Sequence, residues 1–97
     1  FLEEWFWRPA AIASYSAGRL GGVRSALAWR GILGEMGMAV VSSTIAVGPV
    51  KDTLDEDGEP VGEGGKALER QFPRFAGDLA WWTAAAKAQR ERAKPPY

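Results

Sequence analysis

The sequence predicts an α/β fold in which a strand, a helix and a second strand are followed by a loop and a long helix. Three observations lead to this prediction: a short apolar run at residues 10–14, a β-branched run at residues 38–47, and a helical apolar stripe between the two. The strand-helix-strand order implies a parallel pair, because parallel strands need a long crossover that a helix usually supplies.

The first strand is predicted over residues 10–14, since this run is too apolar to alternate and is bounded by Pro9 and a glycine-rich turn. Such a run is typical of a strand covered on both faces. Gly22 or Val23 then opens the helix, and Gly37 is placed to end it as a C-cap. The apolar stripe of this helix recurs at steps of three and four and consists of Val23, Ala26, Leu27, Trp29, Ile32, Leu33 and Met36.

An acidic segment separates the second strand from the last helix. Residues 51–65 contain Asp52, Asp55, Glu56, Asp57, Glu59 and Glu63, with Lys51 as their one basic neighbour. Glycines and Pro60 make regular structure improbable, so we expect a loop throughout. A calcium site is one interpretation of the acids, but the spacing of an EF-hand loop is missing, and we expect solvated side chains and no metal.

The last helix is predicted from a stripe that again steps by three and four, through Leu68, Phe72, Phe75, Leu79, Trp82 and Ala86. This face places Trp82 in the core and Trp81 at its border. Pro73 interrupts the pattern, and we expect a kink or a restart there because proline lacks an amide donor. Coiled-coil pairing is the alternative for this stripe, although fewer than three clean heptads favour packing on a sheet.

Composition bounds the function classes. The chain has 97 residues, enough for one small domain, and its twelve basic and twelve acidic side chains favour neither nucleic acid nor a membrane surface as partner. Cysteine and histidine are absent, which excludes disulfides, thiol nucleophiles and imidazole bases, and no catalytic residue is predicted.

Targeting signals are also missing from these residues. No apolar run approaches the roughly 18 residues of a membrane helix, and no signal peptide is recognisable, so we expect a cytoplasmic protein. The first residues, "FLEEWFWRP", look like the end of a structural element, and we expect a piece of a longer chain.

The turn "SYSAGRLGG" at residues 14–22 is the candidate ligand loop, because it joins the carboxyl end of the first strand to a helix. Open α/β sheets bind ligands at this edge. The glycines at 18, 21 and 22 allow close approach and positive φ, while the serines and exposed amides offer hydrogen bonds to an acceptor-rich group. The spacing matches neither G-x-G-x-x-G nor a P-loop, so a plain strand-to-helix turn is the alternative interpretation.

A resemblance to a known family bears on the choice between a ligand loop and a plain turn. The stretch W-x-x-R-P-A-A-I-A-S-Y-S-A-G-R-L-G-G-V-R-S-A, followed by "LDEDGEPVGE" and "DLAWWTAAAKAQRER", resembles the NADPH-dependent FMN reductase family of flavin, quinone and azo reductases. The resemblance implies a flavodoxin-like parallel sheet with helices on both faces. Residues 1–97 would supply its carboxyl-terminal half, roughly the last two strands and last two helices. Two departures are Ser16-Ala17, where members often carry glycine after the tyrosine, and Pro73.

The same resemblance implies a cofactor site and an activity. The loop would lie beside the isoalloxazine ring of FMN, with cofactor-binding residues Ser14, Tyr15, Ser16, Gly18, Gly21 and Gly22. Hydride would pass from NADPH or NADH through bound FMN to a quinone, a free flavin or another acceptor. The family's phosphate loop after strand one and its loop after strand three are not among these residues, so we expect this fragment alone to be inactive.

Two hypotheses of different class therefore remain. In one, residues 1–97 are the carboxyl-terminal half of an NAD(P)H-dependent reductase, which the resemblance implies to be a homo-oligomer. In the other, the half-domain is a non-catalytic structural or interaction subunit that another chain completes by strand addition. The upstream reading frame separates them, because the enzyme requires a serine- and arginine-bearing phosphate loop there.

Overall fold

The protein folds as the predicted α/β arrangement in a computed structural model that describes residues 2–97. The elements in chain order are a 3-10 helix at Leu2–Glu4, β1 at Pro9–Tyr15, α1 at Val23–Glu35, β2 at Ala39–Val47, a 3-10 helix at Val50–Asp52 and α2 at Gly62–Arg92. The two strands pair in parallel as a two-stranded sheet, and both long helices contact both strands. The last helix therefore packs on the sheet, as the shortness of its heptad pattern indicates.

The end of α1 confirms the predicted glycine cap. Gly37 has a φ of 82°, and its amide donates to the Gly34 carbonyl at 3.0 Å. The Met38 amide donates to the Leu33 carbonyl at 3.1 Å. This pair of bonds is a Schellman motif, which satisfies carbonyls at the helix end and requires a left-handed residue that glycine adopts without strain.

The parallel pairing contains an irregularity that the sequence does not indicate. Ala10 pairs with Val40, but Ile12 pairs with Thr44, so that one residue of β1 lies opposite residues 41–43 of β2. The additional residues of β2 form a bulge, which bends the strand and disrupts the ladder locally.

Both helices contribute a side chain to this bulge. From α1, Arg30 Nη2 donates to the Ser42 carbonyl at 3.0 Å, and from α2, Asp78 Oδ2 accepts from the Ser43 amide at 3.1 Å. The bulged backbone thus regains partners that the ladder cannot provide. The Ser43 hydroxyl, the Ser43 amide and the charge of Arg74 lower the pKa of Asp78 against the opposing effect of burial.

The prediction of a loop up to residue 65 is wrong, because α2 begins at Gly62. A Cβ on Gly64 would lie 2.7 Å from Thr53 Oγ1, and a Cβ on Gly65 would lie 2.7 Å from the Pro60 carbonyl carbon. These glycines therefore serve close packing of the first helical turn against the preceding segment, where any side chain would clash. Their presence suggested flexibility only because that contact is invisible in the sequence.

The helix α2 neither ends nor restarts at Pro73, which lies inside one continuous helical span. Proline removes the amide that would bond the Glu69 carbonyl. Both Glu69 and Pro73 are exposed, so water is able to satisfy that carbonyl. Of the two predicted outcomes, a restart at residue 73 is therefore wrong, and a kink there stays a prediction.

The core of the described residues is small. Its buried hydrophobic side chains are Ile12, Val41 and Ile45, all from the two strands. By contrast, the α1 stripe remains open, with Val23, Leu27, Trp29 and Ile32 between 41% and 63% exposed. The amphipathic pattern of α1 predicted a covered face, and residues 2–97 do not cover it.

The tryptophan pair of α2 is also exposed in the described residues. Trp82 is 45% exposed and Trp81 is 66% exposed, with ring centroids 5.2 Å apart in an edge-to-face arrangement. The predicted order of exposure is therefore correct, but the prediction that Trp82 is buried is wrong. Of the predicted stripe, Phe72 and Trp82 are exposed within the described residues, whereas Leu68, Phe75, Leu79 and Ala86 are half-buried.

We predict that residues 1–97 expressed alone are poorly ordered or self-associate. Three buried hydrophobic residues and an unpaired β1 edge give too little burial to offset chain entropy, and they leave apolar surface in contact with water. Light scattering after size exclusion, together with a thermal melt, measures this. A sharp, cooperative melt of a monomer would contradict the prediction.

A second prediction concerns the bulge, in the product of the complete reading frame. Asp78→Asn removes the charge that accepts from Ser43, whereas Glu69→Gln removes an exposed charge from the same helix as a control. Because folding lowers the pKa of Asp78, its contribution is present above the unfolded value of about 4 and is lost as pH falls through the folded value. Denaturant melts should show wild type more stable than Asp78→Asn at pH 7, with the difference shrinking below about pH 4. A difference that does not depend on pH would contradict this assignment.

Candidate functional site

The candidate ligand loop lies at the carboxyl ends of both strands and is tied to the chain that leaves β2. The Ser16 amide donates to the Val47 carbonyl at 3.0 Å, and the Val50 amide donates to the Ser16 carbonyl, also at 3.0 Å. Ser16 thus bonds both to the last residue of β2 and to the segment that follows it. The beginning of the loop is fixed by backbone contacts before any side chain is considered.

Two glycines at the end of the loop have the left-handed backbone that the sequence suggests. Gly21 and Gly22 have φ values of 62° and 79°, and Gly22 is the N-cap of α1. A Cβ on Gly21 would lie 2.9 Å from the Ala46 carbonyl carbon, and one on Gly22 would lie 3.0 Å from the Tyr15 carbonyl oxygen. Both positions therefore require glycine for two reasons: the backbone is left-handed, and a Cβ would clash with neighbouring backbone atoms.

Gly18 differs from these two. Its φ lies outside the left-handed region, and a Cβ there would meet only Ser16 Oγ, at 3.9 Å. The expectation that Gly18 also uses positive φ is wrong. The backbone of the loop does not demand glycine here, so its absent side chain leaves open space above the loop.

Gly48 is the residue of this site that sequence reasoning missed. A Cβ on Gly48 would overlap the Gly18 carbonyl oxygen and lie 2.6 Å from Gly21 Cα. The loop rests directly on this glycine as the chain leaves β2. Its signal was the Gly48-Pro49 pair, which had been interpreted only as the end of the second strand.

The two serines brace the loop from inside. Ser14 Oγ donates to the Gly21 carbonyl at 2.7 Å, and Ser16 Oγ donates to the Gly18 carbonyl at 2.9 Å. Each hydroxyl proton is thus used within the turn. The serine side chains therefore offer no further proton, and the donors left to the loop are its backbone amides and the exposed Arg19 side chain.

Four consecutive amides are available for a ligand. Within residues 2–97, the amides of Ala17, Gly18, Arg19 and Leu20 donate to no protein acceptor, and all four residues are exposed. Tyr15 precedes them with a side chain that is 77% exposed. The loop therefore offers a row of unpaired donors beside an aromatic ring.

The electrostatics of the loop favour an acceptor-rich or anionic group. Residues 14–24 contain Arg19 and Arg24 and no acid. The N-terminus of α1 adds a partial positive charge, and no side chain caps it. Negative charge is therefore attracted by three features of the loop: its unpaired amides, the helix N-terminus and the two cations.

The donor set fits the part of FMN that the resemblance assigns to this loop. The pyrimidine edge of an isoalloxazine ring carries carbonyl oxygens and an unprotonated ring nitrogen that accept hydrogen bonds, beside a ring N–H that donates one. Backbone amides are suitable partners for the acceptors of such an edge, and a Cβ on Gly18 would meet only Ser16 Oγ within 4 Å. The loop thus suits the ring in donor type.

The acidic segment makes a turn. Asp55 Oδ1 accepts from the amides of Asp57 and Glu59, at 2.9 Å each. No cluster of acids in the described part of the chain is arranged to hold a metal ion. Across residues 2–97, no helix is both long and apolar enough to cross a bilayer.

We predict that Gly48→Ala destabilises the complete protein by about 1–3 kcal/mol, as overpacking does in a filled region. The added methyl group must displace the backbone of the loop at Gly18 and Gly21. Gly18→Ala is the matched control, since its methyl group makes only an ordinary contact. Denaturant melts compare the two, and equal losses would show that the loop does not rest on Gly48.

Comparison with known proteins agrees with the resemblance in the first half of the chain. A family model described as NADPH-dependent FMN reductase matches residues 1–52, which contain β1, the loop, α1 and β2. The acidic segment and α2 lie outside the matched range. No curated protein and no solved structure matches the chain. Because the match covers more than half of the 97 residues, the chain belongs to the NADPH-dependent FMN reductase family.

Proposed function

We propose that residues 1–97 are the carboxyl-terminal half of a flavodoxin-like domain that reduces flavins or quinones with NADPH or NADH. The observation that carries this proposal is the row of unpaired amides at residues 17–20, presented at the carboxyl edge of the sheet. Family membership supplies the cofactor type, and the loop supplies a surface that suits the ring of that cofactor.

In the proposed site, the protein binds and orients. Bound FMN would supply hydride chemistry that no side chain of this chain provides. The amides of residues 17–20 would donate to the pyrimidine edge and favour negative charge there. Ser14 and Ser16 hold the loop in shape, and the exposed Tyr15 would lie beside the ring. With no histidine or cysteine available, positioning and electrostatics are the contributions left to this half of the domain.

The sheet supports the proposal that β1 and β2 are the last two strands of a larger sheet. One edge of β1 pairs with β2, and its other edge has no strand beside it within residues 2–97. The apolar stripe of α1 is open as well. A further strand and helix would pair this edge and cover this stripe, and the FMN phosphate loop would belong to that half.

The same unpaired edge of β1 also supports the second candidate function, a non-catalytic structural or interaction subunit. A half-domain whose unpaired strand receives a strand from another chain would be a structural or interaction subunit. The upstream reading frame decides between the two, because only the enzyme requires a phosphate-binding loop after an earlier strand. The homo-oligomeric state and the cytoplasmic location stay predictions under either function.

We predict that Gly18→Val lowers FMN affinity of the complete protein by at least tenfold, about 1.4 kcal/mol. The valine side chain would occupy the open space that the ring needs. Stability should change by less than about 1 kcal/mol, because the Gly18 backbone is not left-handed. Flavin fluorescence quenching measures the affinity, and a melt of the apoprotein measures the stability.

Gly77→Ala provides the control for this experiment, since Gly77 is on α2 and nothing lies within 4 Å of its added Cβ. It should leave FMN affinity unchanged. Parental FMN affinity in Gly18→Val would return residues 14–22 to the status of a plain turn and remove the main support for the proposed site.

A further inference from the structure

A cavity lies at the opposite end of the sheet from the candidate ligand loop. It has a volume of about 550 Å³ and is bordered by Pro9 and Ala39, where β1 and β2 begin. This volume is within the range of small-molecule sites, roughly 300–1,000 Å³. Seven residues of β1 separate the two ends by about 20 Å, so the cavity is not part of the flavin site.

The tail at residues 93–97 folds back to form one wall of the cavity. Trp7 Nε1 donates to the Tyr97 carbonyl at 3.1 Å, and the two rings lie 4.9 Å apart. Phe6 meets the Tyr97 ring edge-on, with centroids 5.3 Å apart. The segment before β1 and the tail after α2 therefore hold each other in place across the cavity.

The rest of the lining is aromatic and apolar with two cations. Trp82 contributes from α2, and the charged residues of the lining are Arg90 and Lys94, with no acid among them. Arg90 Nη1 donates to the Trp7 carbonyl at 3.1 Å, and its other donors find no acceptor in residues 2–97. In the same residues, neither Arg90 nor Lys94 is in an ion pair.

We propose that this cavity binds a small planar organic anion of the aromatic carboxylate class. Its ring would pack against Trp7, Trp82 and Tyr97, and its carboxylate would meet the free donors of Arg90 and the ammonium group of Lys94. Charge complementarity favours this occupant, because a carboxylate can pair with both cations of the lining, whereas an apolar segment of protein would use neither. The proposal does not depend on flavin binding, since the two sites share no residue.

Calorimetric titration of the complete protein with 1-naphthoate tests the proposal, with 1-naphthalenemethanol as a neutral ligand of similar shape. We expect saturable binding of one naphthoate, at least about tenfold tighter than the alcohol, because charge-assisted hydrogen bonds form only with the anion. Equal affinity for the two ligands, or no saturable binding of naphthoate, would overturn the proposal.

Variants locate the bound anion. Arg90→Gln should weaken naphthoate binding by at least about tenfold and leave the alcohol nearly unaffected. Lys94→Gln, which breaks no hydrogen bond of the folded chain, should weaken it severalfold, while Lys87→Gln, on α2 but outside the cavity, should have no effect. Wild-type naphthoate affinity in both Arg90→Gln and Lys94→Gln would overturn the proposal.

Competition with FMN separates the two sites. Saturating naphthoate should leave the FMN affinity of the complete protein unchanged. Displacement of FMN by naphthoate would place the anion at the flavin loop and overturn the assignment to this cavity. If the complete protein binds naphthoate but does not bind FMN at all, the result contradicts the proposed reductase and leaves the anion site supported.

Discussion

The contact between Gly48 and the loop after β1 is the constraint on which the candidate site depends. The loop and the segment leaving β2 approach so closely at Gly48 that no side chain fits between them. The two hydrogen bonds of Ser16, to Val47 and Val50, then fix the position of the loop relative to the end of β2. With its interior used for these contacts, the loop presents its outer amides, together with the exposed side chains of Tyr15 and Arg19, to a ligand.

That arrangement explains why the two sets of loop residues have different roles. Ser14, Gly21 and Gly22 shape the turn from within, through hydrogen bonding and left-handed backbone. Gly18 and its neighbours form the outer surface, where space and unpaired amides remain. The flavin site that we propose is therefore mainly a backbone surface, which accords with a chain that has no histidine or cysteine.

Local patterns predicted the order of elements, because each rested on neighbouring residues. The glycine after Met36, for example, was sufficient to indicate the end of α1. Features that depend on distant contacts were missed: the bulge of β2 is held by Arg30 and Asp78, and Gly64 and Gly65 belong to a helical turn that packs closely against Thr53 and Pro60. The burial of Trp82 was overestimated, since a helical stripe shows which face is apolar and not whether the described residues cover it.

Hydrogen exchange of the loop amides during FMN titration tests the central claim most directly, using the product of the complete reading frame. The amides of Ala17, Gly18, Arg19 and Leu20 have no protein acceptor in the described residues, so they should exchange rapidly without FMN. The account predicts that saturating FMN slows their exchange, while the amide of Ser16, already bonded to Val47, changes little. Bound FMN with no change in exchange at residues 17–20 would contradict the claim that this loop holds the flavin.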